Sequence, residues 1–210
     1  MVRPLAAAVT LAAVVALARP ASAIPVSPVD LGTVSLGAQV GGDMMDPFTA
    51  VVPPPASVGD ATTRVFFDGA SYLYTQTVTP TGDFNFVFNT EFDPGGFTGL
   101  AGWRFSDAAA AGAGGTSSAF QIERTTGGLI WAASFGGAFG QWNAFEPITF
   151  FFASTRPPTI KDYSLFSLVP TELGTAQGLA PVPEPGSLAL FGSGLVALYT
   201  TIRRRRNLKT

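Results

Sequence analysis

Cysteine and histidine are both absent from this 210-residue chain. Without cysteine there is no disulfide framework, no thiol nucleophile and no thiolate metal site. Without histidine there is no Ser-His-Asp triad and no imidazole ligand. Charge is scarce too, at 12% of residues, and it is unevenly spread. Between Asp30 and Glu172 thirteen acidic residues face five basic ones, Arg64, Arg104, Arg124, Arg156 and Lys161, a net of −8. An acidic region of this kind repels nucleic acid, and none is expected as a partner. No asparagine stands in an N-x-S/T acceptor, since Asn85, Asn89, Asn143 and Asn207 all fail the pattern.

The missing positive charge sits in the two end segments, and both read as membrane-directed. Met1 to Arg3 is a short basic region, Leu5 to Ala18 an apolar run of 14 residues, and Pro20 breaks it. Ala21 and Ala23 then form an A-x-A cleavage site around Ser22. Residues 1–23 are expected to be a signal peptide that engages the general secretory translocon, with Ile24 as the first mature residue. At the other end, Pro181-Val182-Pro183-Glu184-Pro185 precedes an uncharged run of 17 residues, Gly186 to Ile202, closed by Arg203, Arg204, Arg205 and Arg206. At 1.5 Å per residue the run reaches roughly 26 Å, enough for one helix across a thin bilayer. Ala189, Ser193 and Ala197 form a stripe of small residues that lets another helix approach. The four arginines resist crossing, so they stay cytoplasmic and leave everything before them outside. Pro183 and Pro185 favour an extended backbone just outside the membrane, with Glu184 as a single negative charge.

This tail resembles the PEP-CTERM sorting signal of exopolysaccharide-producing Gram-negative bacteria. The likeness rests on Pro183-Glu184-Pro185, the Gly/Ser-containing span and the arginine cluster. It implies processing near the motif by exosortase, a multi-pass membrane protease or transpeptidase. It also implies that the chain is exported and anchored in the inner membrane by the C-terminal helix. Processing then transfers it to the cell surface or extracellular matrix.

Between the end segments the pattern is that of strands. Phe84, Phe86 and Phe88 alternate with Asn85, Val87 and Asn89, the period-two signature of a half-buried strand. Thr62 to Phe67 and Ser71 to Thr79 flank Asp68-Gly69, a hairpin turn. Further strands are expected at 31–40, 99–105, 119–123, 129–134, 147–153 and 163–169, about nine in all. Residues 107–115 read as an Ala/Gly-rich loop, and 41–55 as a loop-like insertion with three consecutive prolines. Of Phe150, Phe151 and Phe152 in succession, at least one must face away from the others. The expected fold is all-β: an antiparallel β-sandwich, jelly-roll-like or immunoglobulin-like, with a single C-terminal transmembrane helix. The expected divisions are a signal peptide (1–23), the ectodomain (24–173), a linker (174–182) and the sorting signal (183–206). Lacking disulfides, the ectodomain must be held by packing, and the 18 phenylalanines supply much of it.

Chemistry has few carriers. Glu91 and Asp93 would share a face if they lay on one strand, and paired carboxylates hydrolyse glycosidic bonds; Asp93 before Pro94-Gly95-Gly96 also reads as a turn. Asp43, Asp46 and Asp60 offer oxygen ligands for Ca²⁺, without any EF-hand spacing. Tyr72, Tyr74, Trp103, Trp131 and Trp142 would stack on sugars if exposed, or fill a core if buried. The leading expectation is a non-enzymatic surface or matrix protein associated with exopolysaccharide and biofilm, with no cofactor or metal and no catalytic residue. The alternatives are a glycan- or Ca²⁺-binding adhesive module and a carboxylate-dependent glycoside hydrolase.

Overall fold

The computed structural model describes residues 23–50, 56–82, 86–133, 142–167 and 173–182. Among them thirteen strands join into a single curled sheet. The hairpin expected around Asp68-Gly69 is its backbone: β5 (Ser57–Phe67) pairs antiparallel with β6 (Tyr72–Pro80) over nine registered positions, from Gly59↔Pro80 to Phe67↔Tyr72. Gly69 takes φ +98°, which a side chain disfavours, and the Asp68 carboxylate accepts from the Ala70 and Ser71 amides. On one side of this hairpin lie β11 (Ile148–Ser154) and β8 (Phe97–Trp103). On the other lie β4 (Met44–Ala50), β13 (Leu173–Pro181), β12 (Pro158–Ser167) and β7 (Phe86–Asn89) in that order. The path continues through β10 (Leu129–Ala133) and β9 (Phe120–Arg124).

The N-terminal segment closes the curl. β1 (Ile24–Val26) pairs with β9 at one edge of the sheet, while β2 (Val29–Asp30) pairs in parallel with β8 at the other. Only Ser27 and Pro28 separate them, so one short stretch covers both open edges. Long unpaired edges invite pairing with other chains, and this clasp replaces the edges of β9 and β8 with two very short strands. The Asp30 carboxylate secures it, accepting from Gly32 N in the following 3-10 turn (Leu31–Thr33) and from Phe105 N at the start of helix α1 (Phe105–Ala110), both at 3.0 Å.

Inside, the core is aromatic. Phe88, Trp103, Phe120, Trp131, Trp142, Phe150, Phe152 and Tyr163 are all buried. Phe88 stacks on Phe150 and on Tyr163, with ring centroids 5.0 and 5.8 Å apart, and Phe120 meets Phe150 edge-on at 5.2 Å. Burial of each such side chain contributes about 1.5–3 kcal/mol, which suits a domain without disulfides. The Phe150-Phe151-Phe152 run divides as alternation requires. Phe150 and Phe152 enter the main core, while Phe151 joins Leu31, Leu73 and Ala153 in a second cluster on the other face, beneath the N-terminal segment.

Several expectations are corrected. Residues 174–182 are not a linker: 173–181 form β13, inside the sheet. Residues 31–40 are not one strand but the 3-10 turn followed by β3 (Ala38–Gln39) on the end of β5. Residues 107–115 open in α1 rather than in loop, and 44–50 are a strand rather than insertion. The described residues are mostly strand and form one curled sheet, so the all-β class is as expected. Among the described residues no helix is long and apolar enough to cross a membrane; the expected span, 186–202, lies outside them.

Candidate functional site: the exit of the C-terminal segment

The candidate site is the strand that leads into the C-terminal tail. β13 lies between β12 and β4, with Pro158↔Pro181 as its last pair with β12. Two opposed prolines end a ladder naturally, because neither has an N–H to continue it. One further bond, from Val182 N to the Pro157 carbonyl at 2.9 Å, holds the final described residue. Pro183-Glu184-Pro185 follows at once, with no spacer between body and motif.

β13 fits an interior position because its inward residues are small. Gly174, Ala176, Gly178 and Ala180 are buried, while Thr175 and Gln177 are exposed. A Cβ on Gly178 would stand 2.5 Å from Thr63 Oγ1 and 2.7 Å from the Tyr163 ring; on Gly174 it would stand 2.2 Å from Val58 Cγ2. Two buried tyrosines then pin the exit. Tyr163 donates to the Leu179 carbonyl at 2.6 Å and accepts from Gln76 Nε2 at 3.2 Å. Tyr74 donates to the Arg156 carbonyl at 2.6 Å, fixing the β11–β12 turn against which Val182 rests. Burial pushes both hydroxyls well above the ordinary tyrosine value, keeping them protonated as donors.

The family comparison falls on this point. A model described as the PEP-CTERM protein-sorting motif matches residues 181–206, beginning at the last residue of β13. The C-terminal segment thus carries a PEP-CTERM sorting motif. Such a motif marks an exported protein sorted by its C-terminal segment. No curated protein and no solved structure matches the chain. Within the PEP-CTERM match, Pro183, Glu184, Pro185 and Arg203, Arg204, Arg205 and Arg206 lie outside the described residues, as does Ala21 of the expected signal cleavage site. Ala23 is described and exposed, immediately before β1.

The other candidates are dispersed. Glu91 and Asp93 are on a turn, not a strand. Glu91 has φ +51° and accepts from Asn89 Nδ2 and from the Ser164 hydroxyl, whereas Asp93 accepts from Arg124 at 3.0 Å. Asp43 pairs with Arg64 at 2.7 Å, which holds its carboxyl below the ordinary value, and Asp46 accepts from Gln177 N. Asp60 is exposed on β5. No group of three or more acidic side chains placed to hold a metal occurs among the described residues. Trp103, Trp131, Trp142 and Tyr74 are core residues, and Tyr72 packs on Phe67 at 4.5 Å. Sequence reasoning missed the tyrosine pins. It also missed the exit strand, whose alternation of Gly and Ala with Thr, Gln and Leu was its one visible signal.

Proposed function

We propose that this PEP-CTERM protein is a non-enzymatic β-domain delivered to the cell surface or extracellular matrix, where it associates with extracellular polysaccharide. In this reading the signal peptide carries it across the inner membrane and the 186–202 span arrests it there. Exosortase then acts at Pro183-Glu184-Pro185 and separates the body from its anchor. The observation that carries the reading is the sorting-motif match beginning where β13 ends. The motif thus follows the last described strand directly, and cutting within Pro183-Glu184-Pro185 would leave every described strand intact. The non-enzymatic assignment draws support from the engagement of Glu91 and Asp93 with Asn89, Ser164 and Arg124. Burial of the three tryptophans supports a packing role for them over a sugar-stacking one.

Fractionation of a chain tagged between the signal peptide and β1 tests this, in a host with exosortase and in one without. Replacing Pro183, Glu184 and Pro185 with alanine leaves the signal peptide, span and arginines untouched. The variant is therefore expected to insert normally and to accumulate at full length in the inner membrane. Release of the variant like the parent in both hosts would show that the motif is incidental.

A further inference from the structure

The position of the exit dictates which end of the body faces the bilayer. The exit end can be traced through contacts. Val182 bonds to Pro157 in the β11–β12 turn. Ser154, just before that turn, pairs with both Tyr72, after the Asp68–Ser71 turn, and Phe97. The Arg124 guanidinium lies over the Phe97 ring, and Arg124 pairs with Ile24. The first residue of β1 and the last described residue therefore leave the body at the same end. At the opposite end stand α1, Ser117 ahead of β9, and Phe145, whose amide bonds to the Pro80 carbonyl at the finish of β6.

Resting on the reading of 186–202 as a membrane span, we infer that the Ile24/Val182 end is the membrane-facing surface of the anchored protein and that its partner is the lipid headgroup layer. The argument is one of reach. From Val182 to Gly186 there are four Cα steps, at most about 14 Å. β5 alone, with eleven residues, is about 36 Å long. A tether that short cannot let the body turn over and present its far end, whereas a long flexible linker would. The N-terminal end adds a separate reason. Ala18, the end of the expected signal-peptide core, is six residues before Ile24, so the uncleaved precursor would be held at two points on the same end. β13 does not lend length to the tether either, because it is registered against β12 along its whole length, from Leu173 to Pro181.

The chain has no cysteine, so a single introduced thiol carries a fluorophore at one known place. The full chain is reconstituted into phosphatidylcholine vesicles doped with a lipid bearing a nitroxide on its headgroup. Probes at Pro157→Cys and Thr155→Cys report the exit end, and Ser117→Cys the far end; all three positions are exposed. Quenching is expected to be several-fold stronger at 155 and 157 than at 117. Inserting a Gly/Ser segment of about twelve residues between Val182 and Pro183, with a reach of roughly 40 Å when extended, should remove the contrast. Equal quenching at both ends, or stronger quenching at 117, overturns the orientation. Contrast that survives the insertion overturns the reach argument, since the surface itself would then be holding the body down. Failure of the parent chain to float with vesicles overturns the membrane-anchor reading beneath it.

Discussion

Tyr74 and Tyr163 place buried rings in the aromatic core and aim their hydroxyls at carbonyls beside the exit strand. Both depend on a proton. Their folded pKa values are raised above the unfolded value of about 10 by burial. The sign follows: their contribution is complete below the unfolded value and is lost as pH rises above it toward the folded values. The exported body, residues 24–182, should therefore lose stability in alkali. Phenolate absorbance from these two rings should appear only together with loss of near-ultraviolet circular dichroism. Ordinary titration of every tyrosine in a body that remains folded would contradict the pinning role. Replacing Tyr163 with phenylalanine leaves the Leu179 carbonyl and the Gln76 amide short of a partner, a cost of about 1–3 kcal/mol by denaturant unfolding.

Among the elements, the N-terminal clasp has the least tolerance. Gly102 of β8 allows β2 to lie alongside, and a Cβ there would stand 1.8 Å from the Val29 carbonyl oxygen and 2.8 Å from Phe151. Backbone cannot rotate away as a side chain does, so Gly102→Ala should cost about 1–3 kcal/mol and loosen β2. Gly42→Ala, with open space around it, serves as the control and should leave the urea midpoint unchanged. Equal midpoints for the two variants would mean that the β2–β8 pairing contributes nothing. Elements with large side chains were legible in the sequence: the β5–β6 hairpin and the Phe88 strand through alternation of Phe, Val, Tyr and Thr with other residues, and β11 through its continuous run of bulky residues, Ile148 to Phe152. β13 and β4 were not, because glycine, alanine and proline read locally as linker or loop. In β13 the small residues are demanded by Val58, Phe48, Thr63 and Tyr163 on neighbouring strands, contacts that no local pattern contains. The clasp was hidden for a similar reason: β1 and β2 together have five residues, too few for a periodicity, and their partners are about 70 to 100 positions away. The motif, by contrast, was fully legible, since its chemistry lies in consecutive residues; its distance from the body was not.

At the scale of the whole molecule, the last strand of a curled β-sheet ends where a sorting motif begins. The clasp starts at Ile24 and the exit strand stops at Pro181, so removing a signal peptide before Ile24 and a tail after Val182 would sacrifice none of the described strands. The measurement that tests this most directly is the intact mass and terminal peptides of the protein recovered from the surface or matrix of an exosortase-bearing host. The account predicts an N-terminus at Ile24 and a C-terminus close to Pro183-Glu184-Pro185, without the apolar run and without Arg203, Arg204, Arg205 and Arg206. Surface protein that still carries those arginines would contradict it.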